Sequence, residues 1–391
     1  MVGGSAGRPG TPGLLRVMND RAALELLLAH GPLSRTEIGA RTGLSKVTAS
    51  QLLGRLEERG LVRVVGAQTG SRGPSAALYD LVGSAGHAAG VDVSPDGTTV
   101  AVADLTGAVR GEATVPGGSG DLTEEVRGAL RGALRRAQLA AGALCSVVIG
   151  TPGLVDPRSG EVDLAVDVPA WHRGVPAALR KRLQCPVGVE NDVNLVALAE
   201  QAGGRAQGVD DFVLLWIGRG LGLAVVLGGR PHRGAAGAAG EVGYLPVPGA
   251  PLPTSVARPR ATAFQALVGA EAVAALAADH GFSAPSAGAA VAAAAAAGGR
   301  GEALLDELAE RLAVGLASIC LVLDPRLVVL SGEVGCAGGD ALAARIQAAV
   351  PRIAPVHPTV AVSSVTGNAV LAGALMVATG AAREAVFDDA A

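Results

Sequence analysis

Cysteine is scarce in this chain. The four present, Cys145, Cys185, Cys320 and Cys336, are widely spaced over 391 residues and lie mostly in apolar runs. That spacing argues against a disulfide framework and for a reducing, cytoplasmic setting. Long apolar runs are missing too. No stretch of about 18 residues is both apolar and free of charge, so no transmembrane helix is expected. The alanine run at 289–297 is too short and too weakly hydrophobic. Residues 1–13 are rich in Gly and Pro and lack the apolar core of a signal peptide. Residues 1–18 are read as a disordered tail.

What is present is a large apolar fraction, 49%, enough for a sizeable core. The length fits two or three domains. The net charge of −3 hides an asymmetry. Residues 1–85 carry ten Lys and Arg against six acids, and the remainder carries 22 against 29. A basic first module on an acidic body suggests a polyanion partner for the first part only.

That module has a recognisable layout. Asn19–Ala29 reads as a helix with Asn19 or Asp20 as its N-cap. Gly31-Pro32 stops it. A second helix spans Ser34–Arg41, with Ser34 and Glu37 spaced as a capping box. Thr42-Gly43 turns the chain, and a third helix runs from Leu44-Ser45 to Arg59. Ala49, Leu52, Leu53 and Leu56 form its inward face. Helix, glycine turn, helix is a helix-turn-helix arrangement. Two strands, Leu61–Val65 and Ala76–Val82, form a wing around a turn-rich loop. On the third helix Thr48, Gln51 and Arg55 face away from the apolar stripe, with Lys46 and Ser50 beside them. Such side chains reach base edges and phosphates. Ser34, Arg35 and Ser45 stand at the two helix starts, and Arg72 at the wing tip suits a minor groove. A polar solvated face is the bland alternative, and the coincidence of four features favours double-stranded DNA.

After a small-residue linker at 84–87, Ala88–Val93 and Thr98–Asp104 read as strands joined by the turn Ser94-Pro95-Asp96-Gly97. Leu122–Ala141 reads as a helix. Leu144–Ile149 reads as a buried strand ending in Gly150-Thr151-Pro152-Gly153. Further on, an apolar strand at Cys185–Val189 runs into Glu190-Asn191-Asp192-Val193-Asn194 and then a helix. Four polar residues in five positions exceed what a helix cap needs. They stand at the carboxyl end of a strand, where open α/β sheets bind ligands. Later segments read as the strand Phe212–Ile217, the helix Glu302–Leu323, the strand Leu327–Leu330 and a closing helix at 365–380. The alanine-rich stretch Ser283–Arg300 is read as partly disordered.

The stretch around Asp192 resembles the E-N-D-x-N motif of the ROK family (repressors, open reading frames and sugar kinases). Gly150–Asp156 resembles its G-x-P-G-x-V-D segment. Arg233–Tyr244, with Glu241, is spaced like its signature. The opening module resembles the winged helix-turn-helix of ROK repressors. The resemblance implies a multidomain chain: a winged-helix domain at 19–83, then a two-lobed α/β domain of the actin-like ATPase (RNase H-like) fold at 88–385. Its lobe boundary falls near 190. It also implies a sugar site formed by Gly150, Thr151, Pro152, Gly153, Asn191, Asp192 and Glu241, with Tyr244 covering the place of the family's His and stacking on the sugar or donating one hydrogen bond. In the family's kinases the Asp is a base that deprotonates a sugar hydroxyl.

Departures from the pattern are informative. Family kinases carry D-x-G-G-T in the first hairpin, where glycine N–H groups receive ATP phosphates. Here Asp92 stays, but Ser94, Pro95 and Asp96 replace the loop. Proline removes a donor, and an aspartate repels a triphosphate. Arg219 replaces a Thr in the later Gly-x-Gly loop. Tyr244 stands where the family has a His, and residues 245–270 hold no Cys or His. Four-coordinate zinc is therefore not expected, and neither is any other metal or cofactor.

Three readings compete. The first is a sugar-responsive repressor of carbohydrate genes, with an operator DNA, a sugar or sugar-phosphate effector and a homodimer or homotetramer as partners. The second is a DNA-binding protein whose second domain is only a dimerisation scaffold. The third is an active sugar kinase. The first is adopted, without catalytic activity and without membrane contact.

Overall fold

The computed structural model describes residues 12–68, 76–118, 120–164, 168, 170–256 and 261–388. It divides into two compact units. Unit 1 holds residues 1–149, 175–188 and 374–391, and unit 2 holds residues 150–174 and 189–373.

Unit 1 opens with the winged helix. Its elements are α1 (Pro12–His30), β1 (Leu33–Ser34), α2 (Arg35–Thr42), α3 (Lys46–Glu58), β2 (Val62–Gln68) and β3 (Ala76–Leu81). α1 starts well before the expected Asn19, inside the segment read as a tail, and both proposed caps lie within it. Proline is compatible with a helix's first turn, where its missing N–H has no partner to lose, and Leu14, Val17 and Met18 carry the helical pattern forward. The second helix follows expectation. Ser34 and Glu37 form the reciprocal capping box, and Gly43 ends the helix at φ +73°. Ser45 caps α3 by accepting from the Thr48 amide. Leu24, Leu27, Ile38, Ala49, Leu52, Leu53 and Leu56 are buried together as the domain core. Each such leucine contributes about 1.5–3 kcal/mol of burial free energy. β1 adds a short strand that sequence reading assigned to the helix start, giving a three-stranded sheet in the order β1-β3-β2.

The chain continues through β4 (His87–Ser94), β5 (Gly97–Asp104), β6 (Val109–Pro116), α4 (Leu122–Arg136) and β7 (Leu144–Thr151). β6 was not foreseen. It pairs antiparallel with β5, its Ala113 buried and its flanking residues exposed or half-buried. Ser94 pairs with Gly97 across the β4–β5 hairpin, with Pro95 and Asp96 as its two-residue tip. After β8 (Leu154–Val155) and β9 (Val162–Asp163) come α5 (Val175–Leu183) and β10 (Val187–Asn191), which completes a sheet ordered β10-β7-β4-β5-β6.

Unit 2 takes the chain on through α6 (Asp192–Gly203), β11 (Phe212–Ile217), β12 (Leu221–Leu227) and β13 (Arg230–Pro231). The helices α7 (Gln265–Val268), α8 (Ala270–Asp279), α9 (Ala287–Ala296) and α10 (Glu302–Leu323) follow. The unit closes with β14 (Leu327–Ser331), α11 (Gly332–Ala337), α12 (Gly339–Ile353) and β15 (Thr359–Val362). Its sheet runs β13-β12-β11-β14-β15, with β11 antiparallel to β12 and parallel to β14. The alanine-rich stretch is ordered, contrary to expectation. Ser286 caps α9, and Ala287, Ala290, Val291 and Ala294 are buried. Alanine is the strongest helix former, and small residues allow close packing. A side chain at Gly288 would crowd the Glu333 backbone at 2.8 Å.

The closing helix, α13 (Ala369–Asp388), starts later and runs further than read from sequence. It is long and apolar enough to span a membrane by length and composition, which the sequence reading missed. Leu371, Ala374, Leu375, Ala378, Ala382 and Phe387 are buried in the protein, the signature of a core helix.

Candidate functional sites

The first site is the outer face of the winged helix. Lys46, Ser50 and Gln51 are exposed on α3, and Thr48 is half-buried. Arg35 is exposed on α2, and its guanidinium donates to Ser50 Oγ at 3.3 Å, which lays it along α3. Ser45 is exposed but holds Thr48 through its cap and a 2.9 Å hydroxyl contact. Two expected members are engaged within the domain. Ser34 is only 3% exposed, with its hydroxyl bound into the capping box. Arg55 turns to Asp20 of α1 at 2.6 Å, and Asp20 is 4% exposed. Burying a carboxylate without a cation is costly, so Arg55 holds α1 to α3. Arg72 lies outside the described residues. One residue was overlooked: Val47, 67% exposed in the first turn of α3. The signal was an apolar residue off the buried stripe.

The second site lies within unit 2. β10 ends at Asn191, whose Oδ1 accepts from the amides of Val193 and Asn194 and so caps α6. Its Nδ2 donates to the Gly153 carbonyl at 3.1 Å. One amide side chain thus ties the strand–helix junction to the Gly150–Gly153 turn, leaving a single Asn191 N–H for a ligand. Thr151 is fully buried and its hydroxyl donates to the Pro152 carbonyl at 3.2 Å. Gly153 adopts φ +108°, a conformation few other residues accept. Asp192 is half-buried at the first position of α6, and its Oδ1 accepts from the Val193 amide at 2.8 Å.

Glu241 reaches the same neighbourhood by close backbone contact. The Leu223 amide of β12 donates to the Gly240 carbonyl at 2.9 Å. Side chains at Gly237 or Gly240 would collide with the carbonyls of Val155 and Leu223. α6 packs on the same strand, where a side chain at Gly222 would meet Val193 at 2.9 Å. Burial raises the Glu241 carboxyl above its ordinary range. Burial, and then the charge of Glu241, raise the Tyr244 phenol. Tyr244 is not aimed as expected, because its hydroxyl donates to the Val256 carbonyl at 3.2 Å.

Arg233 and Glu190 were not assigned roles, yet they brace the cluster. Glu190 Oε2 accepts from Arg233 Nε at 2.7 Å, and Oε1 accepts from Asn194 Nδ2 at 2.9 Å. Arg233 therefore neutralises Glu190. Among the described residues no cluster of His, Cys, Asp and Glu is arranged to hold a metal.

A winged helix followed by α/β lobes with a polar cluster at a strand–helix junction defines a class: a winged-helix module on a sugar-kinase-like α/β body. Residues 88–381 match the ROK family model and residues 18–73 match a MarR family model. The chain belongs to the ROK family. It is 29% identical over 255 residues, 63% of its length, to the DNA-binding transcriptional dual regulator NagC of Escherichia coli. It is 27% identical over 238 residues, 60% of its length, to the xylose repressor of Caldicellulosiruptor bescii. These matches span 62% and 60% of the two relatives' own lengths. A crystal structure of a ROK family transcriptional regulator, a homologue of the E. coli MLC protein, shares the fold at a TM-score of 0.71 and 21% identity. It covers 96% of this chain and 97% of that one. The ROK hexokinase of Thermus thermophilus matches at a TM-score of 0.62 and 27% identity, over 75% of this chain and 97% of its own.

Proposed function

We propose that the protein is a sugar-responsive transcriptional regulator, a cytoplasmic repressor of carbohydrate genes that binds operator DNA as a homodimer or homotetramer. One observation carries the reading. A single chain presents Lys46, Val47, Ser50 and Gln51 on an exposed helix, carries Asn191 and Asp192 at a strand–helix junction, and holds Glu241 on a segment packed against β12. The similarity to repressors supports it. In operator binding, Arg35, Lys46, Ser50 and Gln51 meet phosphates and base edges, while Val47 meets a thymine methyl.

The effector is a neutral sugar. Asp192 and Glu241 bring carboxylates to the cluster, and the Arg233 guanidinium is bound to Glu190. Carboxylates accept hydroxyl hydrogen bonds and repel phosphate. Asp192 acts as an acceptor and not as a base in turnover. Phosphoryl transfer depends on positioning and charge neutralisation, and the β4–β5 tip offers Pro95 and Asp96 where a phosphate cradle needs amides. The test is a thermal-shift screen of neutral sugars and their phosphates, followed by DNA binding with each hit. A sugar phosphate as the sole effector, or ATP-dependent turnover of a hit, would overturn this assignment.

A further inference from the structure

The small-residue segment between the winged helix and the first lobe is not a loose linker. The Gly83 carbonyl accepts from the Leu105 amide at 3.0 Å. Gly86 is packed so closely that a side chain there would meet Val386, Leu105 and Cys145 at 3.0–3.2 Å. Two arginines add ties beyond the linker. Arg59, the residue that ends α3, donates from Nη2 to the Val386 carbonyl at 3.0 Å. Arg21 of α1 meets Asp388 at 3.2 Å. Both ties land on the last turn of α13. The final carbonyls of a helix lack intrahelical partners and favour cations, so Arg59 satisfies a group that needs a donor. The Arg21 pair is exposed and contributes little alone.

The same helix begins in unit 2, against the effector helix. Gly373 lies against the Leu195 carbonyl of α6, with no room for a side chain. Glu200 of α6 is fully buried, and its Oε1 accepts from Ser363 Oγ at 2.5 Å and from the Ser364 and Val365 amides at 2.9 Å. The loop that leads into α13 is thereby held by the helix that Asp192 opens.

We propose that Arg59 and Arg21 are positioning residues for operator recognition: they fix α3 to the last turn of α13, and so fix the separation of the two recognition helices in a dimer. This rests on the dimeric regulator reading above. Two half-sites must be met at once, about 34 Å apart per helical turn. A winged helix held only by the chain at 83–86 would tolerate many spacings. One held by Arg59 accepts few.

The experiment is selection of binding sites from random-sequence duplex DNA by the full-length protein, comparing wild type, Arg59→Met and Arg21→Ala/Arg59→Met. Methionine keeps the packing of the arginine stem and removes the donor. If the double variant does not fold, the single variant carries the test. Wild type is expected to select paired half-sites at one spacing. The variants are expected to select the same half-site over a spread of several base pairs, with about tenfold weaker binding to the wild-type spacing and unchanged binding to a lone half-site. A mere loss of stability would lower recovery without broadening the spacing. A folded variant that keeps the single spacing would overturn the inference. Lone half-sites selected by wild type would remove the two-site reading, and the inference with it.

Discussion

Arg233 grips the carboxylate of Glu190 through two nitrogens, Nε at 2.7 Å and Nη2 at 2.5 Å. Glu190 is largely buried, so the pair braces the strand–helix junction, where Glu190 also holds Asn194. Arg233→Ala strands a buried carboxylate and is expected to lower stability by about 1–3 kcal/mol, the usual loss for a hydrogen bond to a charged group. Glu190→Gln in the same background should recover part of that loss. Urea denaturation of the three variants checks this. Wild-type stability in Arg233→Ala would show that the pair supports nothing.

Glu241 makes a pH-dependent prediction. Its carboxyl is raised by burial in the folded state, so the folded protein holds that proton to higher pH than the unfolded chain does. Stability therefore falls as pH rises from the ordinary carboxyl range through the raised value. Glu241→Gln removes this effect. At neutral pH the variant should melt higher, by about 2–4 °C for ~1 kcal/mol in a unit of this size. At pH 4 the two proteins should melt alike. A variant that melts lower at neutral pH would show that the carboxylate is stabilised by a partner instead.

The recognition helix predicts two separable effects. Lys46→Ala should weaken binding across all sequences and reduce the salt slope by about 1, as for one lost phosphate contact. Val47→Ser should leave the salt slope alone and abolish the preference for thymine over deoxyuracil at one operator position, a preference worth about 1 kcal/mol for a buried methyl. Binding measured on matched duplexes with T or dU checks this. Equal T and dU binding by wild type would remove Val47 from base reading.

Much of this was legible in the sequence. The Ser34–Glu37 capping box, the apolar stripe of α3 and the Asn191 junction are local patterns, and each stands where those patterns place it. What was not legible were long-range partners. Arg55 sits on the polar side of α3 by spacing, but Asp20, 35 positions away, claims its guanidinium. Tyr244 fills a family position, but its hydroxyl is taken by Val256, 12 positions on. The stretch at 283–300 looked too simple to fold, because composition does not reveal that α9 has a buried face. Nothing near Arg59 hints at Val386, 327 residues later.

The central claim is that a neutral sugar held by Asp192 governs DNA binding by the same chain. Its most direct measurement is operator binding by the full-length protein, on DNA selected by wild type, titrated with each neutral sugar that shifts its melting temperature. Wild type and Asp192→Ala are compared side by side. Loss of one charged partner in a half-buried site lowers sugar affinity by about 2–5 kcal/mol. The account predicts equal DNA affinity for both proteins without sugar and a sugar-dependent change in wild type that Asp192→Ala lacks. A sugar response that survives Asp192→Ala unchanged, or DNA binding indifferent to every sugar that binds, would contradict it.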